Sequence, residues 1–301
     1  MSRATGQPAI CWTNKGSLGI SFFFTEELMN TSVDSHLSCG AKKHKGGKVM
    51  RRKFMSMALT AAMVLSMAAT PVFAEDTASD EGFNLNLCIA SEPQTIDPAL
   101  NSAVDGAIMC NHMFEGLVKW VNDGEGNAVT APGQAESWEK TENEDGTVTY
   151  TVKLRDGIKW SDGQAVTAGD FVYAWQRLAN PETAADYCYM IDMVKGYDAV
   201  ADGSADPSTL GITAVDDQTL QIDLTYDCPY FEEIMAFPAT FPVRQDMVES
   251  SDNWTFDPST YIGNGPYKMT EWSHNAYISM EKNENYYDYE NLGPDTIKFT
   301  R

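Results

Sequence analysis

Residues 153–178 read KLRDGIKWSDGQAVTAGDFVYAWQRL and carry the clearest local pattern in the chain. The alternating run that leads into them has apolar residues at Val148, Tyr150, Val152 and Leu154, which is typical of a half-buried strand. Asp-Gly signals for turns follow at 156–157 and 162–163. The pattern therefore predicts a strand that ends in two tight turns.

A helix is predicted to follow these turns. Thr167 and Asp170 have the spacing of a capping box, in which each side chain satisfies an amide at the start of a helix. An Asn-Pro pair at 180–181 ends the pattern. One face of the predicted helix is apolar and is lined by Phe171, Trp175 and Leu178.

The acids and tryptophans of this stretch have structural explanations. Asp156 and Asp162 belong to turns and Asp170 to a helix cap, where local hydrogen bonds favour aspartate. Trp160 and Trp175 are expected in the core. The chain also lacks GxSxG, HExxH, Walker and strand–GxGxxG–helix motifs, and we expect His112 to be a packed core residue. We therefore expect a binding protein and no enzyme, cofactor or metal.

Residues 50–74 resemble a secretory signal. Three basic residues at 51–53 precede an apolar run from Phe54 to Ala69, and small residues at 72–74 give a cleavage site before Glu75. A membrane anchor is the alternative, but the run is short of the roughly 20 apolar residues that a span needs. Residues 75–82 are acidic and predict a flexible start. Export to the periplasm or the outer face of the cell envelope follows from this interpretation.

Residues 1–49 precede that signal, where exported proteins have no sequence, and show no periodic apolar pattern. Lys45, Gly46, Gly47 and Lys48 can be encoded by a purine-rich run that resembles a ribosome-binding sequence ahead of Met50. We interpret residues 1–49 as an untranslated leader read in frame, or as disordered.

Charge and cysteine content limit the class further. Residues 75–301 hold 12 Lys and Arg against 40 Asp and Glu, a net charge of −28. Nucleic acid is therefore an unsuitable partner, because phosphate contacts need basic residues.

No cysteine pair has CxxC spacing and no lipid-acceptor cysteine closely follows the apolar run. Two disulfides or four free thiols both remain open for Cys88, Cys110, Cys188 and Cys228.

The rest of the chain predicts short alternating elements. Residues 83–88 predict a strand, residues 103–118 a helix, and residues 212–224 a hairpin. The acidic run at 122–127 lacks the Gly and Glu of a calcium loop and predicts a hairpin turn. The final residues 295–301 alternate like a strand for which the sequence shows no partner.

Several of these motifs together resemble a known family. They are Asp97-Pro98, Phe114-Glu115-Gly116-Leu117, Ala135-Glu136-Ser137-Trp138, Trp160-Ser161-Asp162-Gly163, Thr167-Ala168, Asp170-Phe171-Val172-Tyr173-Ala174-Trp175 and Gly263-Asn264-Gly265-Pro266-Tyr267. In this order they resemble the extracellular solute-binding proteins of ABC importers, in the family that includes oligopeptide- and dipeptide-binding proteins. The match covers roughly residues 83–301.

The resemblance implies an α/β fold of the periplasmic-binding-protein type II, with two lobes and a subdomain inserted in the first. Residues 83–118 and 230–301 would form the first lobe, and residues 119–229 the inserted subdomain. The second lobe is expected after Arg301, so we expect that the chain is truncated.

The resemblance also implies a site and a function. The main chain of Ser102, Ala103, Val104 and Asp105 would pair with an extended peptide, and Tyr187 would face the ligand. An ordinary strand-to-helix connection and a surface tyrosine are the alternatives. The implied function is capture of oligopeptides by a monomer for delivery to ABC permease subunits. A dipeptide, nickel chelate, haem or oligosaccharide ligand, or a secreted hydrolase, remains an alternative.

Overall fold

The computed structural model describes residues 82–301 of the chain. The predicted leader, the predicted signal peptide and nearly all of the polar start therefore lie outside the described residues. In chain order the strands are β1 (Asn84–Cys88), β2 (Val118–Asn122), β3 (Ala128–Pro132), β4 (Ala135–Glu142), β5 (Val148–Leu154), β6 (Ile212–Asp216), β7 (Thr219–Leu224), β8 (Tyr267–Ser273), β9 (Tyr277–Lys282) and β10 (Thr296–Thr300). The helices are α1 (Val104–Met113), α2 (Ala168–Ala179), α3 (Tyr197–Ala201), α4 (Phe231–Met235) and α5 (Gln245–Val248).

The first sheet joins the two ends of the described chain in the order β1-β10-β9-β8. Strand β10 pairs in parallel with β1 and antiparallel with β9, so it lies inside the sheet. The expectation that residues 295–301 lack a partner is therefore wrong. The sequence could not show the pairing, because Thr296 pairs with Asn84, which lies in a distant part of the chain.

The second sheet is antiparallel, in the order β4-β5-β7-β6, and carries α2. The predicted capping box is present, and the Thr167 N–H donates to Asp170 Oδ2 at 2.7 Å. Phe171, Trp175 and Leu178 are fully buried, and Trp175 Nε1 donates to the Thr240 carbonyl at 2.9 Å. The prediction for residues 148–179 is confirmed. The turn predicted at 122–127 also connects two strands, β2 and β3, as a hairpin.

Helix α1 ends at Met113, earlier than the predicted 118. Asn264 binds the next segment instead: its Oδ1 accepts from the Glu115 N–H at 3.0 Å and its Nδ2 donates to the Glu115 carbonyl at 2.9 Å. These bonds hold the main chain of Glu115 as a strand partner would. Because Asn264 lies 149 residues away, no local pattern could predict the end of the helix.

Two motifs that supported the family resemblance are in contact. The Ser161 N–H of the Trp-Ser-Asp-Gly turn donates to the Gly263 carbonyl at 2.8 Å. Asn285 Nδ2 donates to the Ser161 carbonyl at 3.1 Å. The Trp-Ser-Asp-Gly turn is thus docked on the Gly-Asn-Gly-Pro segment, and both motifs have a structural role.

The cysteines and histidine lie as follows. All four described cysteines are free thiols. Of the two alternatives that the sequence left open, the structure therefore has four free thiols and not two disulfides. Cys110 is buried, its Sγ donates to the Ile96 carbonyl at 3.3 Å, and burial raises its pKa. His112 is buried in the core as expected, and burial lowers its pKa. Within residues 82–301 no helix is long and apolar enough to cross a membrane.

Glu92 anchors the turn between β8 and β9. Its Oε1 accepts from Trp272 Nε1 at 2.8 Å and lies 2.7 Å from His274 Nδ1, while its Oε2 accepts from the Asn275 N–H at 2.8 Å. Burial raises the pKa of Glu92, but hydrogen bonds from His274, Asn275 and Trp272 outweigh this effect and lower the pKa overall.

A pH dependence of stability follows from this depressed pKa. The contribution of Glu92 is present above its unfolded pKa, about 4.3, and is lost as the pH falls through its lower folded pKa. We therefore expect Glu92→Gln to reduce the slope of unfolding free energy against pH in the acid range, measured by urea unfolding. Glu125→Gln in the exposed β2–β3 turn is the control. Equal slopes in Glu92→Gln and the unaltered protein would contradict the role of Glu92.

Candidate functional site

The predicted peptide-binding segment lies at the start of α1. Ala103 is the N-terminal cap and is extended, with φ −117° and ψ 152°. Ser102, Ala103 and Val104 are exposed, and Val104 is 53% accessible although it is apolar. Asp105 is half-buried and accepts a hydrogen bond from Ser91 Oγ. The stretch where the resemblance predicts ligand contact is therefore exposed from Ser102 to Val104 and extended at Ala103.

Some main-chain groups of this segment already have partners. The Ala103 N–H donates to Asn101 Oδ1 at 3.3 Å, and the Ala103 carbonyl accepts from the Ala107 N–H at 3.0 Å. The main chain of Ser102 and the first-turn N–H of Val104 are thus the groups suited to bind a ligand. The first N–H groups of a helix have no partner within the helix and bind acceptors readily.

The loop before this segment is held in place by close packing. A Cβ on Gly106 would lie 2.0 Å from Asn101 Oδ1 and 2.4 Å from the Thr95 carbonyl, so only glycine fits there. The Asp97 carbonyl accepts from the N–H of Leu100 at 3.1 Å and of Asn101 at 2.9 Å. The segment is therefore preceded by a loop that hydrogen bonds and close packing hold in place.

Tyr187 precedes a 3-10 turn at Cys188–Ile191 and is half-buried. Its ring packs edge-on against Phe237 at 5.2 Å between centroids and lies 6.1 Å from the ring of Tyr189. Within residues 82–301 no hydrogen bond or ring contact joins Tyr187 directly to Ser102–Asp105. A ligand that touches both must therefore bridge them.

An ion pair that the sequence did not predict joins the loop before Ser102 to helix α2. Arg177 Nη1 donates to Asp97 Oδ1 at 2.9 Å, and Arg177 Nη2 donates to Asp97 Oδ2 at 2.6 Å. The two residues are 80 apart in sequence, one in the loop before Ser102 and one in α2. Asp97 lies in one of the family-like motifs and Arg177 lies two residues after another, but no local pattern pairs them.

The described residues offer little for metal chemistry. Within them no group of three or more His, Cys, Asp or Glu residues could hold a metal ion. An open cleft of about 470 Å³ is lined in part by Trp160, Asp170 and Arg244. Arg244 is already paired there with Asp162 and Asp246.

Comparison with known proteins identifies the family. The family model for the bacterial extracellular solute-binding proteins, family 5 Middle, matches residues 130–300. The chain belongs to this family. The match includes the turn, cap and helix at 153–178 and the Gly-Asn-Gly-Pro segment, so the predicted family and fold class are confirmed.

Relatives and solved structures agree with this assignment. The chain is 36% identical over 210 residues to the oligopeptide-binding protein OppA of Bacillus subtilis, which covers 69% of this chain and 37% of OppA. It is 35% identical over 246 residues to the probable deoxycholate-binding periplasmic protein YgiS of Escherichia coli, covering 79% and 44%. The structure of Haemophilus influenzae OppA in complex with RPPGFSPFR superposes with a TM-score of 0.67, at 35% identity, covering 73% and 42%.

The chain thus spans about two fifths of the length of these relatives. As a family, the solute-binding proteins of family 5 are transport proteins that bind their cargo outside the membrane. The five ligand-contact residues and the domain boundaries at 118 and 229 stay predictions.

Proposed function

We propose that this protein is the substrate-binding component of an ABC importer, which captures oligopeptides outside the membrane and delivers them to a permease. The observation that carries the proposal is the exposed stretch Ser102–Val104, in which Ala103 is extended and Val104 begins α1. Main-chain groups in this conformation bind an extended peptide as an added strand does. Such recognition is independent of side-chain identity and suits a broad range of peptides.

The second ligand contact in this proposal is Tyr187. Its ring is fixed on one side by Phe237 and reaches solvent on the other, so it offers a rigid apolar surface to a peptide side chain. In the full-length protein a second lobe would close over both contacts and bury the peptide between two surfaces. The protein catalyses no reaction in this account.

A different ligand within the family is the second candidate. The relative YgiS is named as a probable deoxycholate-binding protein, although it is 35% identical to this chain. Titration of the full-length gene product with pentaalanine, deoxycholate, a nickel chelate, haem and an oligosaccharide separates the candidates. Micromolar or tighter binding of pentaalanine alone is the result expected here. Binding of another compound in place of pentaalanine would contradict the peptide proposal, and turnover of peptides or glycans would indicate a hydrolase.

Replacing Tyr187 tests the proposed contact. We expect Tyr187→Ala to weaken peptide binding about tenfold, since one buried aromatic contact contributes on the order of 1–2 kcal/mol. The melting temperature should fall only slightly, because the ring is half-buried in the free protein. Calorimetric titration and a thermal scan give the two values.

Tyr189→Ala is the matched control, because that ring is 55% accessible and lies beside Tyr187. It should leave the peptide affinity within about twofold, as expected for an exposed side chain without a ligand contact. A large drop in melting temperature with unchanged affinity in Tyr187→Ala would assign Tyr187 to the core.

A further inference from the structure

The ion pair between Asp97 and Arg177 has features of a positioning device. Both hydrogen bonds are formed, and the side chains are only 3% and 14% accessible. Burial alone would lower the pKa of Arg177, but the hydrogen bonds from Arg177 to Asp97 raise it, so the residue stays charged. A planar bidentate pair fixes both the distance and the relative orientation of the two residues.

On one side the pair is connected to the main-chain segment by a continuous set of turns. Asp97 Oδ1 accepts from the Ala99 N–H at 3.0 Å, and the Asp97 carbonyl accepts from the Asn101 N–H at 2.9 Å. Asn101 Oδ1 in turn accepts from the Ala103 N–H. A shift of the Asp97 carboxylate would therefore move Ser102 and Ala103.

On the other side the pair is connected to Tyr187. Arg177 lies in the last turn of α2, and Asn180 Oδ1 then accepts from the Glu182 N–H at 3.0 Å. Hydrogen-bonded turns continue through Ala184, whose φ is +52°, to the bond from the Cys188 N–H to the Ala185 carbonyl at 3.2 Å. The main chain from the end of α2 to Tyr187 is therefore held by a series of local hydrogen bonds.

We propose that the Asp97–Arg177 ion pair fixes the distance between the main-chain segment Ser102–Asp105 and Tyr187, and so determines peptide affinity without touching the ligand. This inference rests on the proposed function. It assigns Asp97 and Arg177 as positioning residues. A purely stabilising pair would affect the melting temperature and leave the affinity of the folded protein unchanged.

The test compares Arg177→Lys with Arg244→Lys in the full-length gene product. Lysine keeps the charge but loses the planar fork in both variants. Arg244 is the matched control, because its side chain is 6% accessible, binds Asp162 and Asp246, and contacts neither ligand segment. Pentaalanine affinity is measured by calorimetry well below the melting temperature, and amide exchange is measured in the free protein.

We expect Arg177→Lys to bind pentaalanine about tenfold more weakly. A loss of this size corresponds to the free energy of one charge-assisted hydrogen bond, if that loss is transmitted to the peptide-binding site. Amide exchange should accelerate at Ser102–Asp105 and around Tyr187. Arg244→Lys should lower the melting temperature, keep the affinity within about twofold and leave exchange at both segments unchanged.

Four outcomes would overturn the inference. Unchanged affinity in folded Arg177→Lys, or an equal loss of affinity in Arg244→Lys, assigns Arg177 to stability alone. If Arg177→Lys does not fold, Asp97→Asn repeats the test with the side-chain shape kept, and loss of folding in both variants also assigns the pair to stability. Absence of pentaalanine binding by the unaltered protein overturns the proposed function as well, which distinguishes the two failures.

Discussion

Gly263→Ala should prevent folding or lower the free energy of unfolding by at least about 3 kcal/mol, because it forces a methyl group into packed main chain. A Cβ on Gly263 would lie 1.8 Å from the Met113 carbonyl oxygen and 2.9 Å from the Met113 carbonyl carbon. The neighbouring atoms are main chain at the end of α1 and cannot rotate away. The Met113 carbonyl is also held, because it accepts from the Gly265 N–H at 3.0 Å.

Urea unfolding of Gly263→Ala and Gly169→Ala measures the effect. Gly169 lies in the first turn of α2, and a Cβ there would come no closer than 3.4 Å, to Thr167 Oγ1. Since alanine is preferred over glycine in a helix, we expect Gly169→Ala to be neutral or to stabilise the fold by up to about 1 kcal/mol. Similar unfolding free energies for the two variants would show that the Gly-Asn-Gly-Pro segment tolerates displacement from α1.

Glu115→Ala should lower the free energy of unfolding by about 3 kcal/mol. This is the lower end of the range observed when one partner of a buried ion pair is removed. Glu115 is 5% accessible and gathers four partners at the base of the β2–β3 hairpin. Its Oε1 accepts from Tyr286 at 2.6 Å and Tyr287 at 3.2 Å and lies 3.3 Å from Lys119 Nζ, and its Oε2 accepts from Gln134 at 2.8 Å. Removal of the carboxylate leaves the buried donors of Tyr286 and Gln134 without this acceptor.

Glu142→Ala is the matched control for Glu115→Ala. The Glu142 side chain is 73% accessible and lies 3.3 Å from Lys140, which keeps Asp227 as a second partner at 2.8 Å. An exposed pair of this kind contributes little, so we expect a change below about 0.5 kcal/mol in urea unfolding. Equal effects of the two substitutions would mean that the Glu115 cluster does not stabilise the hairpin base.

The sequence predicts those elements whose signals lie within a few residues of one another. It misses those that depend on contacts with distant parts of the chain. The strand, turns and helix of residues 148–179 were predicted because their signals lie within a few residues of one another, as Thr167 and Asp170 do. The end of α1 was missed because it is set by Gly263 and Asn264 from far along the chain. The pairing of β10 with β1 was missed for the same reason.

The candidate site divides in the same way. Ser102–Asp105 and Tyr187 were located by resemblance to the family. In the structure Ser102–Asp105 spans the loop end and first turn of α1, and Tyr187 precedes a 3-10 turn. The ion pair between Asp97 and Arg177 has no local signal, because its geometry depends on the packing of α2 against a loop 80 residues earlier. Such pairs become visible only when the fold is known.

Mass spectrometry of the ligands that co-purify with the full-length gene product under native conditions tests whether the protein binds peptides. Recognition through the main chain of Ser102–Val104 predicts a mixture of short peptides that share no single side chain. Their displacement by excess pentaalanine would show that they occupy one site. Recovery of a single bile acid, sugar, haem or metal chelate in place of peptides would contradict the account.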